Sequence, residues 1–242
     1  MIRPLLALLV LAGPAAAVEC DQIRFDGKPF TICEVDPGTD RLGLFLKDEE
    51  GALHGHFNRL DAATEGNLVF AMNAGMYHGD RRPVGHFIAD GTEEMRVISS
   101  DGPGNFGLLP NGILCLAEGR AQVIETLRFL DEAPVCSGAT QSGPMLVIDG
   151  ALHPRFLEGS DSLYIRNGVG TSVGGDRAVF AISDVPVNFH TFARLFRDGL
   201  ELPQALYFDG NVSRLHAPQM GRSDFGPLMG PIVAVTDPSG TD

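Results

Sequence analysis

Short apolar runs punctuated by tight glycine turns dominate this chain. Met145-Leu146-Val147-Ile148 and Ala178-Val179-Phe180-Ala181-Ile182 are two such runs. Stretches of this length, bounded by turn residues, read as strands. Turn signals stand at Asp26-Gly27, Asp90-Gly91, Glu118-Gly119, Asp149-Gly150 and Gly174-Gly175, each flanked by apolar or alternating segments. Two-residue loops of this kind predict β-hairpins. No motif recurs around the turns, so the pattern is one of separate hairpins and not of a solenoid.

Two stretches switch to helical spacing. Residues 54–64 put Phe57 and Leu60 on one face and stop before Gly66. Residues 188–198 start from Asn188 as N-cap, bury Phe192, Leu195 and Phe196, and stop at Gly199. Each helix feeds an apolar strand, Leu68-Val69-Phe70-Ala71 and Ala205-Leu206-Tyr207-Phe208, and each strand runs into a polar loop. The first loop carries Asn73 and the second Asp209. The expected fold is α+β: a single domain with a large mixed, mostly antiparallel sheet built from hairpins and two or more packed helices. A chain of 242 residues can bury a substantial core, and no linker composition divides it. The tail over residues 236–242 reads as a frayed end.

Composition places the chain among globular proteins, with 44% hydrophobic and 20% charged residues. Residues 1–17 read as a secretory signal: Arg3, an apolar run over residues 5–11, then Ala15-Ala16-Ala17. The expected mature domain is residues 18–242, in the periplasm or secreted. That apolar run is too short to span a bilayer and no later one is longer, so no integral membrane segment is expected after signal cleavage. Ala17-Val18-Glu19-Cys20 lacks the small residues that precede a lipidated cysteine. A net charge of -13 disfavours nucleic acid and anionic membrane as partners. An anionic substrate would need arginines placed locally against that field.

Four cysteines in an exported chain predict two disulfides. A two-residue turn at Asp26-Gly27 sets Phe25 opposite Lys28, Arg24 opposite Pro29 and Cys20 opposite Cys33. Counting outward, the cysteines fall at a non-hydrogen-bonded pair, where Cα atoms lie about 4.5 Å apart and a disulfide can close. Cys115 is left to pair with Cys136.

Four loops have the character of a ligand site. Asn73-Ala74-Gly75-Met76-Tyr77 offers an amide and a backbone that a ligand can approach. Gln141-Ser142-Gly143-Pro144 offers backbone amides before a core strand. Ile165-Arg166-Asn167-Gly168-Val169-Gly170 holds a lone arginine among small and apolar residues, either as a bidentate phosphate ligand or in a salt bridge, with Asp209 as one partner. Tyr207-Phe208-Asp209-Gly210-Asn211-Val212-Ser213 delivers a carboxylate at a strand end with a hydroxyl four residues on. A nucleophile elbow, a glycine-rich nucleotide loop and zinc-ligand spacings are absent from the sequence. The seven histidines are scattered; His190 and His216 flank the second helix–strand unit as acid–base candidates.

In this order, Asn73-Ala-Gly-Met-Tyr77, Pro83-Val-Gly85, Gln141-Ser-Gly-Pro144, Arg166-Asn-Gly-Val-Gly170, the helix with its Phe189–Phe196 stripe and Asp209-Gly-Asn-Val-Ser213 resemble the phosphodiester glycosidase family over residues 42–218. The resemblance implies cleavage of a sugar from a glycosyl-1-phosphodiester. It implies Asp209, Arg166 and Asn73 as catalytic positions, with Gly75, Ser142, Gly143, Asn167, Gly210 and Ser213 around the substrate. Arg166 and backbone amides would hold the phosphodiester, Asn73 and Ser213 would bond its oxygens, and Asp209 would serve as acid/base, nucleophile or charge stabiliser. Asp80, Asp176 and Asp184 are the candidates for a second carboxylate. No cofactor is required; Ca²⁺ or Mg²⁺ beside the acidic loops is compatible with the sequence, but no spacing demands one. The family usually has a second glycine where this chain has Asn211, and asparagine is the residue best able to keep a left-handed turn there. Two other readings stay open: a non-catalytic module for envelope glycan, and a phosphodiesterase cutting at phosphorus.

Overall fold

The computed structural model describes residues 18–237; the expected signal at residues 1–17 and the end at residues 238–242 lie outside the described residues. Strands β1 (Glu19–Phe25) and β2 (Lys28–Val35) open the chain, followed by β3 (Arg41–Phe45), helix α1 (Phe57–Ala63) and β4 (Leu68–Asn73). Next come β5 (Phe87–Ala89), β6 (Thr92–Met95), β7 (Gly112–Ala117) and β8 (Arg120–Glu125). Helix α2 (Thr126–Glu132) leads to β9 (Gly138–Ser142), β10 (Met145–Ile148), β11 (Ala151–Leu152), β12 (Asn167–Thr171) and β13 (Ala178–Ser183). Helix α3 (Phe189–Arg194) ends in a π-helical turn and feeds β14 (Gln204–Asp209), then β15 (Leu215–Ala217), β16 (Arg222–Ser223) and β17 (Ile232–Thr236).

The α+β class holds, and every named strand pairing is antiparallel. In place of one large sheet the strands form three, in the orders β1-β2-β13-β12-β14-β10-β11, β16-β15-β4-β17-β3 and β6-β5-β9-β7-β8. The reason is burial. A strand buried on both faces needs partners above and below, and three sheets around one core supply them. Phe180 and Phe208 of the first sheet, Phe70 and Met72 of the second, and Phe87 and Leu114 of the third share that core. On the opposite face of the first sheet, Phe192 of α3 and Phe196 of the π-helical turn pack with Val179, Ala181 and Tyr207.

All five glycine turns close hairpins. Asp26 and Gly27, Asp90 and Gly91, and Asp149 and Gly150 all have positive φ, as type I′ turns require. Register follows: Phe25 opposes Lys28, Arg24 opposes Pro29 and Cys20 opposes Cys33. Cys20–Cys33 is bonded with Cα atoms 4.1 Å apart, and Cys115–Cys136 is the second disulfide.

Asn188 caps α3 by accepting from the Thr191 amide at 2.9 Å. The first helix begins at Phe57 and not at His54, because Gly55 has a left-handed φ of 58°. Helix α2 has no sequence signature: Leu127 and Leu130 point to solvent, and the cap is Glu125, whose carboxylate accepts from the Leu127 and Arg128 amides. The start of the expected frayed tail is tied down instead, since Thr236 lies in β17 and the Asp237 amide donates to the Asn67 carbonyl.

Cys115–Cys136 spans 21 residues and ties β7 to the segment after α2. Loop closure over that length corresponds to about 3 kcal/mol. A Cys115→Ser/Cys136→Ser double variant should therefore melt about 10 °C lower, and reductant should bring the wild-type melt toward it. Coincident melts with and without reductant would contradict this contribution.

Candidate active site

Strands β4 and β14 end where β12 begins, although β4 belongs to a different sheet from the other two. Two buried asparagines stitch that seam. Asn167 Nδ2 donates to Asn73 Oδ1 at 2.8 Å and to its carbonyl at 3.1 Å. Asn73 Oδ1 also accepts from the Arg214 amide at 2.9 Å. Asn167 Oδ1 accepts from the Asp209 amide at 3.2 Å and from Ser213 Oγ at 3.3 Å. Ser213 Oγ lies 2.9 Å from the carbonyls of both Ile165 and Asp209. The pair therefore orients the backbone that carries Asp209 and does not itself face solvent.

Asp209 ends β14 on the same face as Tyr207 and is 9% exposed. Its Oδ1 accepts from the amides of Gly210 at 2.6 Å and Asn211 at 2.8 Å. Burial raises its pKa above the usual aspartate value, and the amides of residues 210–212 oppose that rise without cancelling it. The turn needs no left-handed residue, since neither Gly210 nor Asn211 has a positive φ. Asn211 therefore replaces a second glycine without strain, and its contribution is an N–H. Gly210 must be glycine for another reason: a Cβ there would collide with the Tyr207 hydroxyl.

Asp209 and Gly210 line a cleft of about 520 Å³ walled by Tyr77, Tyr164 and Tyr207 and faced by Asn105 and Phe106. These are all three tyrosines of the chain. Among the described residues Asp209 is the only carboxylate lining this cleft. Asp80 pairs with Arg82, Asp176 bonds Ser172, and Asp184 pairs with Arg222, so none of the three candidates for a second carboxylate reaches it. His216 packs on Phe57 and bonds Ser223, and neither it nor His190 lines the cleft. The sequence held one signal for the tyrosine wall: tyrosine is scarce here, and two of the three fall inside the candidate loops.

Arg166 is 1% exposed and lies behind the cleft wall. Its Nε donates to the Val187 carbonyl at 2.8 Å and its Nη2 to the Ser162 carbonyl at 2.9 Å. The guanidinium carbon lies 3.6 Å from the Phe189 ring centroid, with Tyr164 and Tyr207 at 5.4 and 5.5 Å. Among the described residues Nη1 has no partner, and no salt bridge to Asp209 forms. Burial lowers the Arg166 pKa from the usual guanidinium value, while the two tyrosines support the charge. Arg166 thus holds the tyrosine wall in place through cation–π contact. Ser142 Oγ donates to the Phe208 carbonyl, Gly143 packs on Asn111, and Gly75 packs on Thr140; all three are buried beside the strands and outside the cleft lining.

The site is a single buried carboxylate in a tyrosine-walled cleft, on an antiparallel α+β scaffold. The phosphodiester glycosidase model matches residues 66–217, the span that holds every one of these groups. The chain belongs to the phosphodiester glycosidase family. It is 32% identical over 218 residues to the uncharacterized protein YigE of Escherichia coli (strain K12), covering 88% of this chain and 84% of that one. Its fold matches the catalytic domain of zebrafish N-acetylglucosamine-1-phosphodiester alpha-N-acetylglucosaminidase, auto-inhibited by its pro-peptide, with a TM-score of 0.62 at 14% identity over 94% of this chain and 85% of that one. A hypothetical protein from Synechocystis matches with a TM-score of 0.60 at 10% identity, over 90% of this chain and 61% of that one.

Proposed function

We propose that this protein is an exported hydrolase that cleaves the glycosyl bond of a sugar-1-phosphodiester, releasing free sugar and a phosphomonoester. The observation that carries the reading is Asp209, held by backbone amides as the one carboxylate lining an aromatic cleft, in a chain of this family. The tyrosines offer faces on which a sugar ring can stack. In the proposed step a water attacks the anomeric carbon and Asp209 takes its proton. The bond from that carbon to the phosphate oxygen breaks, and the electron pair leaves with the phosphomonoester. Phosphate is a good leaving group, so a second carboxylate acting as acid is not needed. One base on one face corresponds to inversion at the anomeric carbon. Two disulfides fit an oxidising compartment and support export. Among the described residues no helix is long and apolar enough to cross a membrane. No metal is assigned, and no group of metal-ligating residues gathers among the described residues.

The test is product analysis on envelope-type glycosyl phosphodiesters. Free sugar with a phosphomonoester is the expected result. Sugar phosphate with an alcohol would assign cleavage at phosphorus instead, and saturable binding without turnover would assign a glycan-binding module.

A further inference from the structure

An anionic diester entering this cleft meets an acidic protein and, on the cleft lining, one carboxylate and no arginine or lysine among the described residues. A phosphate subsite on this cleft would draw its charge from an arginine just outside the lining. Arg166 is locked behind Tyr207 and Tyr164. Arg214 is buried and donates to the Pro227 carbonyl, with its guanidinium packed on Gly226. Arg82 is paired with Asp80 at 2.7 Å. Arg81 stacks on Tyr77 of the cleft wall and, among the described residues, has no carboxylate partner.

Arg81 sits on a narrow ribbon in which Val84 donates to Met76, His78 to Arg82 and Arg81 to His78. The ribbon raises Tyr77 against the cleft, and the Arg81 guanidinium lies 5.3 Å over the Tyr77 ring. Its Nη1 donates to the Gly79 carbonyl at 2.7 Å, its Nε is buried without a partner, and among the described residues no carboxylate pairs with it. Its φ is 73°, a left-handed conformation that glycine or asparagine would adopt more cheaply. Strain of this kind persists where a side chain is needed for more than the fold. Burial raises the Tyr77 pKa, Asp209 adds to the rise, and Arg81 and Arg214 oppose it. The Tyr77 hydroxyl makes a long bond to the Leu228 carbonyl at 3.4 Å, and its raised pKa keeps it protonated and able to donate.

We propose that Arg81 and Tyr77 form the subsite for the phosphate of the substrate, with Arg81 supplying the charge and Tyr77 a hydroxyl donor. The assignment rests on the glycosyl phosphodiester reading, and it orients the substrate with phosphate over the ribbon and sugar toward Asp209 and Tyr164.

Inorganic phosphate is the probe, titrated into the full chain by calorimetry and by thermal shift. Wild-type protein should bind it, and Arg81→Gly should weaken binding about 10- to 100-fold, the scale of a charge-assisted hydrogen bond. Arg81→Lys should recover part of that loss, and Arg82→Ala should leave it unchanged. Without phosphate, Arg81→Gly should melt no lower than wild type, because glycine relieves the left-handed strain. Equal phosphate affinity in Arg81→Gly, or no phosphate binding by wild type, would overturn the assignment. If binding depends on Arg81 but wild type cleaves no glycosyl phosphodiester, the subsite stands and the glycosidase reading falls. If Arg81→Gly cleaves the diester with unchanged KM and phosphate affinity, the glycosidase reading stands and the subsite falls.

Discussion

Asp209→Asn should lose about 10²- to 10⁴-fold in turnover of a glycosyl phosphodiester, the usual contribution of a positioned acid or base. The same substitution should raise the melting temperature at neutral pH. The carboxylate is 9% exposed and its pKa is raised, chiefly by burial. A raised folded-state pKa means that the folded protein holds this proton more tightly than the unfolded chain. The associated stability is present below the ordinary aspartate range and is lost as pH climbs through the raised value. Asparagine carries no charge at any of these pH values and keeps an oxygen for the Gly210 and Asn211 amides. The variant's advantage should therefore be absent in acid and appear toward neutrality, at about 1 kcal/mol or roughly 2–4 °C for a chain of this size. The wild-type rate should carry an acid limb displaced above that of an exposed aspartate. Melts and rate profiles across pH check both halves. Turnover like wild type in Asp209→Asn would rule out a catalytic carboxylate, and a melt that falls at neutral pH would contradict the burial argument.

Asn167→Ala should damage stability and activity together. The substitution removes the acceptor for the Asp209 amide and for Asn73 Nδ2, both buried, while Asn73 Oδ1 keeps the Arg214 amide. Each buried polar group left without a partner costs about 1–3 kcal/mol, so a loss of about 3 kcal/mol and roughly 10 °C is expected. Asp209 would also lose its placement, and misplacement of about 1 Å costs about 100-fold in rate. Asn167 is thus a positioning residue. A separate readout distinguishes that role from simple loosening: kcat should fall well below wild type at temperatures where the variant is still fully folded. Unchanged kcat under those conditions would leave Asn167 a structural residue alone.

Much of the site was legible in the sequence as a set of loops and much less as a set of roles. Asp209 was readable because a strand end, a glycine turn and a hydroxyl four residues on lie within one short segment. Asn73 and Asn167 were readable as site residues, yet they face each other across a seam 94 positions apart in the chain. Their partners are decided by which sheet each strand joins. Arg166 was readable as an arginine in need of a partner, and the partner is a cage of aromatic rings and carbonyls. Tyr77 and Tyr207 stood inside candidate loops, yet neither they nor Tyr164 had an assigned role, because local sequence does not say which rings wall a cleft.

The sequence by itself determined the hairpins, the Cys20–Cys33 register, the capped α3 and the two helix–strand units that end in Asn73 and Asp209. Each of these is set by backbone dihedrals and side-chain caps within a few residues, where local chemistry decides. The tertiary structure alone decided the division into three sheets, the burial of Arg166 and the asparagine pair, and the placement of Asp209 in a tyrosine-walled cleft. Those outcomes depend on how strands buried on both faces share one core, and that packing is a property of the whole chain.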